Sequence, residues 1–134
     1  AVISGSSALH YLLPQREMTW SPHDLDIYTT EKTTHFLLVG LKLQGYQMIN
    51  INTEDEIQNY CLHIIAIFTL VHNKHKVDVF ISSSTTPISP VFWYHSTALM
   101  NFITHNSIFC AYPHLTLKGL SLVNPFMIFS QPLK

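Results

Sequence analysis

Asp24-Leu25-Asp26, and much later Asp78 within Val77-Asp78-Val79-Phe80-Ile81, are the residues of this sequence best suited to chemistry. Side chains alternate along a strand, so the carboxylates at 24 and 26 point the same way. Like charges that close repel unless a counter-charge stands between them. A divalent metal would supply one, and hard carboxylate oxygens suit Mg2+. Two aspartates from one strand and one from a neighbour can clamp a pair of ions about 3.5–4 Å apart, activating an attacking oxygen and stabilising leaving phosphate oxygens. Plainer readings stand beside this one. Asp78 could face solvent on an edge strand, or pair with Lys76 two residues back on the same face, and an Asp-x-Asp at a loop-to-strand boundary also arises without function.

Upstream lies Val2-Ile3-Ser4-Gly5-Ser6-Ser7-Ala8. A glycine closing a strand lets backbone approach a phosphate closely. The Ser6 and Ser7 hydroxyls, with the first amides of a following helix, offer donors to such an anion. The glycine-serine turn would then hold phosphates while the aspartates hold metal.

These groups need elements to carry them. Val2-Ile3 reads as a short strand, and Ser6 or Ser7 as the cap of a helix over Ala8–Leu13 that Pro14 ends. Residues 14–23 form a loop, and Leu25–Tyr28 alternates as a strand. A helix capped by Thr33 or Thr34 follows, with Phe36, Leu37, Leu41 and Leu43 as its apolar positions and Gly45 as its stop. Gln47–Ile51 reads as a strand. The run IIAIFTLVHNKHKVDVFIS predicts an antiparallel hairpin turning at His72-Asn73-Lys74-His75. Ser83–Pro90 is a loop, and HSTALMNFITH predicts a helix capped by Ser96 or Thr97. Beyond Pro113 no element is assigned. Mixed helices and strands make one α/β or α+β domain over residues 1–134, a mixed sheet with Asp24, Asp26 and Asp78 on adjacent strands and helices packed against it.

Composition narrows the classes. Apolar residues make up 47% and charged ones 11% of the chain, well under the roughly 25% charge of an average soluble domain. So apolar a chain is not disordered. It suggests either a domain cut from a longer chain, with a flanking domain, or one that hides apolar surface against a protein partner, and the opening on Ala1 without a Met suggests a fragment or a trimmed product. The seven basic residues are scattered and the net charge is −1, which does not make a surface for duplex nucleic acid. No apolar run approaches the ~20 residues that span a bilayer. Cys61 and Cys110 lack metal spacing and read as buried free thiols, favouring an intracellular setting.

The order VISGSSALHYLL, then DLDIY, then VDVFI resembles the DNA polymerase β-like nucleotidyltransferase superfamily. The opening, the DLDIY strand and YHSTALMNFIT…AYPHLTL at 94–117 are similar to a group of fungal proteins carrying that fold. The resemblance implies that Gly5 and Ser6 form the phosphate-binding turn and that Asp24 and Asp26 bind metal. Asp78 would be the third carboxylate, helping to deprotonate an acceptor hydroxyl. It implies Mg2+ as cofactor, a nucleoside triphosphate as substrate and transfer of its nucleotidyl group to an acceptor that the sequence does not specify. No second, helical base-binding domain is evident, and Lys42, Lys74 and Lys76 are the only mid-chain bases for a triphosphate. The alternative is therefore a catalytically inactive binding or interaction module of the same fold.

Other chemistries fit less well. An aspartyl-phosphatase DxDxT motif needs Thr or Val where Tyr28 stands. Nucleotide-sugar transferases need a long segment before their DxD. The nine histidines have no zinc-finger spacing and read as core or surface residues, with His23 able to orient Asp24. Trp20, Trp93 and Tyr94 read as packing residues before stacking platforms, and GSS lacks the glycines of a nucleophile elbow.

Overall fold

A computed structural model describes residues 1–13, 24–53, 63–94 and 96–123. The elements are β1 (Val2–Ser4), α1 (Gly5–Leu12), β2 (Asp24–Thr30), α2 (Glu31–Leu43), β3 (Gln47–Thr53), β4 (Ile64–His72), β5 (His75–Ser82), β6 (Asn101–Ile103), β7 (Ile108–Cys110) and α3 (Pro113–Thr116). Among the described residues the strands form one seven-stranded sheet in the order β3-β4-β5-β2-β1-β6-β7. β2 and β5 pair in parallel and the other neighbours antiparallel. The chain is thus an α+β fold on a mixed sheet. Asp78 does not sit on an edge: β5 is flanked by β4 and β2, and the Asp78 side chain is only 15% exposed.

Period-two alternation divides the sheet into two faces. One carries Ile27, Leu70, Val77 and Val79, packed with Leu37, Leu38 and Leu41 of α2. The other carries Val2, Tyr28 and Phe80, covered by Ile88, Val91 and Tyr94. Tyr28 stacks on Phe80 at 4.6 Å between ring centroids, and its hydroxyl meets that of Tyr94. Tyr94 is therefore a packing residue, whereas Trp93 is 37% exposed beside His63.

Several expected boundaries shift for local reasons. α1 starts at Gly5, directly after β1, with Ser4 at its N-cap position. Ser6 and Ser7 lie inside the helix and do not cap it, and Ser4 Oγ donates to the Asn101 carbonyl instead of capping. α2 is capped at Thr30, three residues before the first expected cap, by a capping box between Thr30 and Thr33, which satisfies first-turn amides reciprocally. Phe36 and Leu43 are 77% and 82% exposed, so the buried face is set by Thr34, Leu37, Leu38 and Leu41. The hairpin turns as expected on Asn73 and Lys74, with Asn73 at φ 57°, a conformation that Asn tolerates better than most residues.

The helix expected in HSTALMNFITH is absent. Ser96 Oγ caps only a single 3-10 turn, Thr97–Leu99, and the chain then extends into β6. The side chain of Asn101 donates back to the Ala98 carbonyl, closing that turn, the kind of local bond by which Asn competes with helix. Cys110 is a free thiol, half-buried and not buried as expected. The expected loop at 14–23 lies outside the described residues, with Trp20 and His23 in it; Cys61 and His95 lie outside them too.

Candidate functional site: a carboxylate pair between parallel strands

The parallel register of β2 and β5 sets Asp26 beside Asp78 and Asp24 beside Lys76. Registered neighbours in a sheet project to the same side about 4.8 Å apart, so three carboxylates and one ammonium share one face. The row through the acid pair extends further. Ser4 of β1 is registered with Asp26, Thr69 of β4 with Asp78, and Asn50 of β3 with Thr69. A line of polar side chains thus crosses the middle of an otherwise apolar sheet, one row away from the Tyr28–Phe80 stack.

Each carboxylate has a distinct surrounding. Asp78 accepts a hydrogen bond at Oδ1 from Thr69 Oγ1, at 2.7 Å, and its Oδ2 lies 3.7 Å from Lys76 Nζ. The same ammonium is 3.6 Å from Asp24 Oδ2, and Asp24 and Lys76 are both more than two-fifths exposed. Lys76 therefore bridges Asp24 and Asp78 and holds them within one cation-bridged span of each other. The sequence had offered the Lys76–Asp78 pair as an alternative to a shared acid site; the fold contains both.

Asp26 is partly buried beside the other two. Burial, then the carboxylates of Asp78 and Asp24, push its carboxyl up from the ordinary 3.8 to about 7, while Lys76 pulls the other way. Burial first, and the like charges second, thus disfavour the ionised form of Asp26, and Lys76 offsets part of this.

Gly5 explains how α1 can begin here. Its φ is +70°, and a Cβ placed on it would come within 2.3 Å of Asp26 Oδ2. A side chain at this position would strike the carboxylate, so Asp26 itself demands the glycine. Ser7, two residues on, donates its hydroxyl to the Asp24 carbonyl at 3.0 Å and ties α1 to the start of β2. Ser6 is half-buried in the first turn of α1. The turn expected to hold phosphate is therefore packed against the metal-binding candidates.

A cavity of about 180 Å3 opens at the same end of the strands, lined by Ser7, Asp24, Tyr46, His75 and Lys76 among others. Its wall mixes hydroxyls, an imidazole, an ammonium and one carboxylate. A larger cavity, about 560 Å3, lies between Phe92, Met100, Phe109 and Tyr112. The described residues lining it include no carboxylate, histidine or lysine, whereas Asp24 and Lys76 of the site line the smaller one.

The three aspartates fit a hard cation by donor type and by shared face. Among the described residues, however, no three His, Cys, Asp or Glu side chains already surround one point. Asp26 and Asp78 are brought together, while Asp24 is turned to Lys76. Sequence reading missed Ser4, Thr69 and the bridging position of Lys76. Thr69 was within reach: counting outward from the turn at Asn73-Lys74 pairs His72 with His75 and Thr69 with Asp78. No protein-family model, curated protein or solved structure matches this chain.

Proposed function

We propose that the chain is a nucleotidyltransferase-fold domain that uses Asp24, Asp26 and Asp78 to hold Mg2+ and transfers a nucleotidyl group from a nucleoside triphosphate to an acceptor. The observation that carries this reading is the register of Asp26 beside Asp78 on parallel neighbouring strands, with Asp24 on the same face. That placement sets carboxylates distant in sequence on one face of adjoining strands, which supports the reading that the resemblance to the superfamily implies.

Within this reading Asp26 and Asp78 are the inner ligands, and Asp24 joins them when it turns from Lys76. Bound there, Mg2+ would supply electrostatic stabilisation of the charge that develops on the transferring phosphate. Thr69 holds the Asp78 carboxylate in one rotamer through its hydrogen bond, so that a ligand oxygen stays aimed. Gly5 lets the amino end of α1 close over Asp26, and the helix dipole there favours an ionised carboxylate or a nearby phosphate. The adjoining cavity, at about 180 Å3, is smaller than the ~300 Å3 of an ordinary ligand pocket. It takes a phosphate-sized group, and the base and sugar would lie outside it, against a flanking domain or partner.

Calorimetry with a nucleoside triphosphate and Mg2+ tests the reading. Binding should require the metal and should vanish in Asp26→Asn, which keeps the shape of the side chain and removes its charge. Metal-independent binding, or none in the wild type, would refute it.

A second reading has its own support. Because Lys76 already pairs with Asp24 and Asp78, the same fold can stand partly compensated without metal, as a binding or interaction module that turns nothing over.

A further inference from the structure

We propose that Lys76 is a tethered counter-ion that occupies part of the cation site and must leave Asp24 and Asp78 before a divalent ion can enter. It thereby sets the cation concentration at which the site fills. The inference rests on the metal reading of the three aspartates and adds a threshold to it.

The geometry is specific. One ammonium lies 3.6 Å from Asp24 Oδ2 and 3.7 Å from Asp78 Oδ2, long distances for ion pairs whose direct hydrogen bonds run about 2.7–2.9 Å. Nζ thus hangs between two oxygens and is seated on neither. Lys76 is anchored by the parallel register that puts its backbone opposite Asp24, so the ammonium is supplied by the strand itself at high local concentration. Its side chain is 43% exposed and also lines the 180 Å3 cavity, which gives it somewhere to swing. A lysine stem is flexible and its head is strongly hydrated, so vacating the carboxylates is inexpensive but not free. A cation arriving at Asp26 and Asp78 meets a like charge until Lys76 moves. At contact distance a single like charge weakens a neighbour's binding by about tenfold, even when well screened by water.

Mn2+ binding, read directly by electron paramagnetic resonance of the free ion, distinguishes the possibilities without any turnover. Lys76→Met removes the charge and keeps much of the stem, and Lys76→Arg keeps the charge as a control. The expected result is Mn2+ affinity about tenfold higher in Lys76→Met than in wild type, no such gain in Lys76→Arg, and loss of the gain in Lys76→Met with Asp26→Asn. Binding by Lys76→Met alone, with none in wild type, would support the inference in its strongest form. Equal affinity of wild type and Lys76→Met would overturn it while leaving the metal reading intact. No binding by either would overturn both. A circular dichroism spectrum matching wild type certifies that each variant is folded.

Discussion

At the scale of single residues, the site turns on one contact that the sequence did not announce: Gly5 against the Asp26 carboxylate. Two penalties meet there, a positive φ and a forced clash. Gly5→Ala should therefore cost about 1–2 kcal/mol for the left-handed backbone alone, and on the order of 2–4 kcal/mol when overpacking is added. The two parts separate in a double-mutant cycle. In an Asp26→Ala background the carboxylate is gone and only the backbone strain remains, so the cost of Gly5→Ala should fall by about half, measured by urea unfolding. Equal costs in both backgrounds would mean that Asp26 is not what the glycine accommodates. Gly5 and the three aspartates were legible as a group because residue type and order carry them. Their division of labour was not, since it depends on which row of the sheet each one joins.

At the scale of elements, α2 shows how a periodic pattern is misread. Phe36, Leu37, Leu41 and Leu43 all fit an apolar stripe in one dimension, yet Phe36 and Leu43 point to solvent. The capping box at Thr30 and Thr33 starts the helix earlier, and Leu37, Leu38 and Leu41 are the leucines laid on Ile27, Val77 and Val79. Leu41→Ala should destabilise by about 1–3 kcal/mol, whereas Phe36→Ser should change stability by less than about 0.5 kcal/mol. Thermal melts of the two variants check this, and a larger loss from Phe36→Ser would reverse the assignment. The hairpin was legible for the opposite reason. A two-residue turn with Asn73 fixes its register locally, and that register alone delivers Thr69 to Asp78. That the strands carrying Asp26 and Asp78 lie side by side was expected from the three aspartates, but their parallel direction and register were not legible, because α2, β3 and β4 separate β2 from β5 in sequence. The 96–103 segment failed as a helix although Ser96 caps its first turn, because the Asn101 side chain takes the Ala98 carbonyl that helix continuation would use.

At the scale of the whole molecule, an acid pair held in the middle of a sheet makes stability depend on pH. Below pH 3.8 Asp26 is protonated in both folded and unfolded chains, and it contributes no difference. As pH rises past that value the unfolded chain releases the proton, while the folded chain keeps it up to about 7. Unfolding therefore releases a proton across this interval, and stability falls as pH climbs through it, reaching its full loss above pH 7. The loss attributable to Asp26 is of order a few kcal/mol, given about 1.4 kcal/mol for each unit between the two values. Urea midpoints at pH 4.5 and 7.5, compared between wild type and Asp26→Asn, isolate it from the histidines and other carboxylates that titrate in both proteins. The Asn variant should gain on the wild type as pH rises, and a pH-independent difference would mean that the carboxylates do not share one enclosed spot. The same experiment joins folding to the proposed chemistry. A divalent ion that binds only the folded chain stabilises it by mass action, and it does so by meeting the charge that Asp26 lacks. Millimolar Mg2+ should then raise the wild-type midpoint at pH 7.5 and leave that of Asp26→Asn where it stands. At pH 4.5 the proton already fills the role of the cation, and the effect of Mg2+ on the wild type should shrink with it.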